Sequence, residues 1–219
     1  MLKYQRESWW RFLNEKTIEK LLEKNNGILK TADVVAVGIS KEYFYQYVKR
    51  SGMQKAAHGI YLSSDAWADE MYLLQAQFQK AVYSHETALY LHDLAEKEPM
   101  PLTVTVAANY NGSGLVKKGV KVFFVKKEWY EMGVCELRSP GGFPVKVYDM
   151  ERTICDILRK RSEMDIAVFN YAVKEYIKRE DKDYTRLGKY ATTMRLERKL
   201  NEFMGVLFWW LKHQGNWKI

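Results

Sequence analysis

The sequence predicts an α+β chain in two parts. Three observations carry that prediction: short helical and extended signals separated by glycine at the front, a run of strand-like segments between helical ones behind, and a charge balance that changes between the two. In the front part, residues 15–25 place Ile18, Leu21 and Leu22 at helical spacing and stop at Asn25-Asn26-Gly27. Residues 28–30 read as extended. Thr31 reads as the N-cap of a short helix over 32–37, which Gly38 breaks. Ser40 reads as the N-cap of a second helix over 41–50, closed by Ser51-Gly52. Residues 53–56 and 59–62 then read as two strands around Ala57-His58. Helix, strand, short helix, glycine turn, capped helix and hairpin is the order of a winged helix-turn-helix, assigned to residues 1–64.

The second helix of that series predicts a surface. Phe44, Tyr47 and Val48 share one face at i, i+3 and i+4, which leaves Lys41, Tyr45, Gln46 and Lys49 outward and Tyr43 between the faces. Cations mixed with planar hydrogen-bonding groups are what a groove-reading helix requires. The competing reading is a solvated amphipathic helix, and the order of the surrounding elements favours recognition. The expected DNA-binding set is Thr31, Ser40, Lys41, Tyr43, Tyr45, Gln46, Lys49 and Arg50, with Lys55 and His58 near the tip of the hairpin.

Composition shifts after Ser63-Ser64-Asp65, so residues 65–219 are expected to form a second, mixed α/β domain. Helices are expected over 69–81 and over 85–94, the latter capped by Ser84. Strands follow at 102–107 and 120–125 around a loop at 109–114. Strands 134–138 and 143–148 flank Ser139-Pro140-Gly141-Gly142, a hairpin signal. Asp149 caps a helix to about residue 161 with Ile154, Ile157 and Leu158 inward, and helices follow over 165–179 and 184–199. A mainly antiparallel sheet with flanking helices is the expected architecture.

Bulk properties narrow the function. The hydrophobic fraction of 47% suffices for a core, but the longest apolar runs, at 34–37 and 206–211, are too short to span a bilayer, so no membrane partner is expected. The first ten residues are mixed and polar rather than a secretory leader, and Cys135 and Cys155 lack CxxC spacing; a reducing, cytoplasmic setting is expected. The net charge of +8 sits at both ends: residues 1–62 hold 11 basic against 6 acidic side chains and residues 151–219 hold 15 against 10, whereas 63–150 hold 9 against 11. That distribution points to a polyanionic partner.

Catalytic patterns are sparse. His85-Glu86 opens like a zinc-protease motif, but position 89 is Leu and the next histidine, His92, lies too far along a helix to share one zinc. Asn111-Gly112-Ser113-Gly114 with Lys117-Lys118 lacks the ending of a phosphate loop. Nothing beside Cys155 in sequence lowers a thiol pKa. No enzyme activity, metal or cofactor is expected.

Particular segments resemble the AbiEi-type antitoxins, regulators of type IV toxin–antitoxin and phage-defence systems. Gly27-Ile-Leu-Lys-Thr-Ala-Asp33, Gly38-Ile-Ser-Lys41, Arg50-Ser-Gly-Met53 and His58-Gly-Ile-Tyr61 carry the likeness at the front. Tyr83-Ser-His-Glu-Thr-Ala-Leu-Tyr-Leu-His-Asp-Leu94 and Val147-Tyr-Asp-Met-Glu-Arg-Thr-Ile-Cys-Asp-Ile-Leu158 carry it behind. The resemblance implies a repressor of its own operon that binds an inverted-repeat operator in duplex DNA, with self-association on the DNA. It also implies neutralisation of a cognate nucleotidyltransferase-like toxin through the second domain, with Arg152 and Asp156 as the residues to test. Members that counteract the toxin without a stable complex leave direct contact open. The tail Phe208-Trp-Trp-Leu-Lys-His-Gln-Gly-Asn-Trp217 departs from the family and, with Trp9-Trp10, suits either internal packing or an interface. Two other readings stand beside this one: a one-component repressor sensing a small ligand, and a nuclease targeted by a winged helix.

Overall fold

The computed structural model describes residues 2–66, 69–203 and 205, with side chains described from residue 9 onward. The tryptophan-rich tail lies outside the described residues. The chain divides into two compact units, one comprising residues 1–79 with 138–144, the other residues 80–137 with 145–219. The sequence boundary at 64/65 therefore falls inside the first unit.

In that unit α1 (Leu2–Lys24) leads into β1 (Ile28–Lys30), α2 (Thr31–Ala36), α3 (Lys41–Arg50), β2 (Gln54–Ala57), β3 (Ile60–Leu62) and α4 (Glu70–Gln77). Helix α1 begins far ahead of the expected residue 15. Its apolar periodicity starts late because Trp9, Trp10, Phe12 and Leu13 are exposed, and only from Ile18 onward does one face pack. Gly38 separates α2 from α3 at φ +88°, a left-handed turn that a residue with a Cβ adopts only with strain.

The strands form an antiparallel sheet in the order β1-β3-β2, with Ile28 opposite Leu62, Leu29 opposite Tyr61 and Lys30 opposite Ile60. Alternation sends neighbours to opposite faces. Leu29 and Tyr61 join Ile18, Val34, Ile39 and Phe44 in one core; Ile28, Ile60 and Leu62 join Phe143, Tyr72 and Leu73 in another. Both faces of this small sheet are thus covered, and α4 with the 138–144 turn supplies the second cover. Asp69 fixes that cover. Its carboxylate accepts from Tyr72 N at 2.7 Å as the N-cap of α4, from Ser139 Oγ at 2.5 Å and from Gly141 N at 2.9 Å.

The second unit holds β4 (Val82–Tyr83), α5 (His85–Leu91), β5 (Thr103–Ala107), α6 (Ser113–Lys117), β6 (Lys121–Val125), α7 (Lys127–Glu131), β7 (Val134–Arg138), β8 (Pro144–Tyr148), α8 (Met150–Arg159), α9 (Ile166–Lys178) and α10 (Tyr184–Met194). Its sheet runs β6-β5-β4-β8-β7 and is mixed rather than mainly antiparallel. Strands β5 and β6 pair in parallel from Thr103↔Lys121 to Ala107↔Val125, and Tyr83 pairs in parallel with Val147, while β4 and β5 are antiparallel. The parallel pairing traces to residues 109–114, where a loop is expected from the sequence. Its end folds into α6, so the segment from β5 to β6 is a crossover that returns the chain in the same direction rather than a hairpin. Ser84 stands at the N-cap position of α5 without capping it by side chain; its Oγ instead accepts from Thr105 Oγ1 at 2.8 Å.

One core gathers Leu89 from α5, Ile154 and Ile157 from α8, Phe169 and Tyr176 from α9 and Leu187 from α10. Helix α8 is buried along its whole length from Met150 to Leu158, not only on the expected apolar face.

The approach of Gly141 to Asp69 makes the first unit's second cover testable. A Cβ at Gly141 would meet Asp69 Oδ2 inside contact distance. Gly141→Ala should lower the unfolding free energy by about 1–3 kcal/mol in urea denaturation. A variant as stable as the parent would show that the Asp69 cradle does not hold the turn.

Candidate nucleic-acid interface

Helix α3 forms because Ser40 caps it and one face finds a core. Ser40 Oγ accepts from Tyr43 N at 3.2 Å, and Lys49 and Arg50 place positive charge at the carboxyl end, where the helix dipole favours it. Phe44 is fully buried and Tyr47 nearly so, with Val48 packed beside them. That burial turns Lys41, Gln46 and Lys49 to the surface together with Tyr45, whose side is 47% exposed. Lys41 and Lys49 form no ion pair among the described residues. Glu42 shares the exposed side, which makes the surface polar and mixed rather than purely cationic.

Tyr45 is supported from behind. Its ring centroid lies 6.3 Å from Tyr61 on β3, and Tyr61 packs edge-on against Phe44 at 5.3 Å. Tyr61 was absent from the expected set, although the alternation Ile60, Tyr61, Leu62 placed it opposite the two aliphatics. Tyr43 turns inward: its hydroxyl donates to Arg11 O at 3.1 Å. Arg50 pairs with Glu15, which also meets Arg11 Nε at 3.6 Å, so this cation is partly engaged within the unit.

The remaining expected residues differ in detail. Thr31 is the first residue of α2, not its cap; Lys30 holds the cap position, and the Thr31 hydroxyl is buried. The Thr31 amide donates to Gly59 O at 2.8 Å, which ties the start of α2 to the β2–β3 turn. Lys55 stands within β2 opposite Tyr61, while His58 and Gly59 make the turn itself; Lys55 and His58 are both exposed. Lys41, Tyr45, Gln46 and Lys49 thus share one exposed helix side, Lys55 and His58 lie on the adjoining hairpin, and Thr31 and Tyr43 serve the packing.

The second unit explains its own distinctive segments. They lie side by side, Tyr83 opposite Val147, and His92 at the end of α5 meets Tyr148 O through Nε2 at 2.7 Å. Arg152 and Asp156 are fully buried, with Arg152 Nε 3.2 Å from Asp156 Oδ2. Arg152 also donates to the carbonyls of Trp129 and, at 2.9 Å, Met132, and its guanidinium lies 4.1 Å from the Tyr148 ring centre. Burial pushes the Asp156 carboxyl above the usual range against the pull of Arg152 and Arg159. Neither side chain has surface to offer a partner, so the pair acts on the packing of α8. Burial also raises the thiols of Cys135, to about 11, and Cys155, to about 12, which keeps both protonated and poorly nucleophilic at neutral pH.

His85 is buried at φ +48°, its ring stacked 3.6 Å from Phe123 and its Nδ1 3.0 Å from Ser84 Oγ. Burial holds its pKa well below the ordinary histidine value, with Arg159 and Arg152 adding to the effect. Burial also lowers His92, against the hydrogen bond to Tyr148. Among the described residues, no group of three or more His, Cys, Asp or Glu is placed to hold a metal, and no helix is long and apolar enough to cross a membrane.

Comparison with protein-family models gives no match, and comparison with curated proteins gives none either. The likeness to AbiEi-type antitoxins therefore rests on the residues named above.

Two measurements test this account of the buried groups. Arg152→Ala would strand Asp156 and two carbonyls in the interior and should cost about 3–5 kcal/mol of stability, whereas replacing the pair by Arg152→Met with Asp156→Leu should recover much of it. A loss below about 1 kcal/mol for the single change would remove the pair from its structural role. Because folding depresses the pKa of both histidines, their contribution is present above about pH 6.5 and is lost as pH falls through the folded values. Urea midpoints at about pH 7.5 and 5.5 should therefore diverge in the parent and diverge less in His85→Asn, which tolerates the left-handed backbone. Equal pH slopes would refute it.

Proposed function

We propose that this chain is a DNA-binding transcriptional regulator whose first unit is a winged helix-turn-helix. Helix α3 is its recognition helix and the β2–β3 hairpin its wing. One observation carries the reading: a side-chain-capped helix buries Phe44 and Tyr47 and presents Lys41, Tyr45, Gln46 and Lys49 together at the surface, beside a hairpin bearing Lys55 and His58. Gln46 supplies a planar donor–acceptor pair that suits an adenine edge, Tyr45 an aromatic face with a hydroxyl, and the lysines charge for phosphates. The excess of basic over acidic residues in 1–62 supports association with a polyanion.

We extend the proposal to an antitoxin of the AbiEi type that represses its own operon at inverted repeats and counteracts a nucleotidyltransferase-like toxin. Support comes from the two segments of the second unit quoted above. Since Arg152 and Asp156 are buried, neutralisation would use surface residues of that unit while α8 keeps its shape. Co-expression with the product of the adjoining gene, scored by growth rescue, tests this half independently of DNA binding.

For the DNA-binding half, fluorescence anisotropy on the promoter upstream of the gene is the direct assay. Tyr45→Ala with Gln46→Ala should relax sequence preference by about 1–3 kcal/mol. Lys49→Ala should weaken binding to every sequence and reduce the salt slope by about one unit. Lys55→Ala should matter more at low salt than at high. Unchanged binding in all of these variants would sink the proposal.

A further inference from the structure

The second unit contains a cleft of about 710 Å³ whose walls include Lys80, Tyr110, Lys126, Lys127, Tyr130 and Glu131. Its position follows from the sheet. Strands β5 and β6 run in parallel and end together at Ala107 and Val125, and ligands of α/β sheets collect beyond the carboxyl ends of such strands. There the chain turns away after β5, with Tyr110 N donating to Ala107 O at 2.9 Å, while α7 begins directly after β6. The walls are pinned rather than loose. Tyr130 Oη donates to Lys80 O at 2.8 Å, and Tyr148 Oη donates to Tyr130 O at 2.9 Å.

Three lysines and one glutamate meet in the cleft. Lys127 and Glu131 are 3.9 Å apart, and Lys126 and Glu128 3.8 Å, all well exposed. Such surface pairs contribute little and exchange readily for a better anion. Lys80 forms no ion pair among the described residues. Two tyrosines line the same space, a flat apolar component beside the charge. The volume falls within the range of small-molecule sites and far exceeds what a lone phosphate fills.

We propose that this cleft binds a nucleotide, with the phosphate held by Lys80, Lys126 and Lys127 and the base seated against Tyr110 and Tyr130. The site is independent of DNA reading by α3 and would stand if that reading failed. Neither tyrosine nor lysine belongs to a sequence motif; the parallel pairing of β5 with β6 is what assembles them.

Calorimetric titration of the full-length chain with AMP, GMP, CMP and UMP tests it, with adenosine and inorganic phosphate as the separated parts. At least one nucleotide should bind with Kd below about 1 mM, and both parts should bind about tenfold or more weaker. Lys80→Gln with Lys126→Gln should weaken the nucleotide by about tenfold, and Tyr110→Leu should weaken the nucleotide more than phosphate. Lys41→Gln with Lys49→Gln, on α3, should leave nucleotide binding unchanged. Thermal melting of each variant confirms folding. No binding by any of the four nucleotides overturns the proposal. So does binding that survives the cleft changes and is lost with the α3 changes.

Discussion

The burial of charge on α8 is the constraint around which the second unit is arranged. Met150 to Leu158 is buried without interruption although it carries Glu151, Arg152 and Asp156, and the half-buried Asp149 stands just ahead of it. A buried charge is tolerable only with a partner: Asp149, Glu151 and Arg152 each hold another element, while Asp156 pairs with Arg152 and Arg159 on α8 itself. Asp149 caps the helix through Arg152 N and accepts from Tyr190 of α10 at 3.0 Å, while its amide donates to Gly133 O at 2.7 Å. Glu151 accepts from Tyr176 of α9 at 3.2 Å and from Asp183 N at 2.9 Å, ahead of α10. Arg152 collects the carbonyls that close α7. The segment that the resemblance singles out for neutralisation is therefore deeply committed to architecture.

The first unit depends on a different requirement, that both faces of a three-stranded sheet be covered. Few residues are available: each of β1 and β3 offers three, and alternation divides them between two cores. The side that carries α3 uses Leu29 and Tyr61 to seat α1, α2 and α3. The opposite side, Ile28, Ile60 and Leu62, needs α4 and Phe143. A winged helix ending at residue 64 would leave that second face in water. The consecutive apolar residues Ile28-Leu29 and Ile60-Tyr61-Leu62 were the local sign that neither face is solvated.

The same covering decides which α3 residues are free. Packing of Phe44 and Tyr47 against Ile18 and Leu29 sets the rotation of the helix, and that rotation exposes Lys41, Tyr45, Gln46 and Lys49. Tyr43 falls on the boundary and is drawn to the α1 backbone. A surface fixed from behind in this way is suited to recognition, because its side chains stand on a rigid element.

Local signals determined a good deal. Helix α3 and its Ser40 cap, the β2–β3 hairpin, the Asp149 cap of α8 and the strands β5 to β8 were legible because caps, turns and periodicity act over a few residues. The exposed quartet on α3 was legible for the same reason. The tertiary structure alone decided the rest. Thr31 falls one residue inside α2, with its amide bonded to the Gly59 carbonyl, β4 exists only because neighbours on both sides pair with it, and α6 converts an apparent loop into a crossover that makes β5 and β6 parallel. The cleft beyond those strands joins residues as distant as Lys80 and Glu131. No periodicity encodes such a meeting, since it arises from strand order and burial, which act through space rather than along the chain.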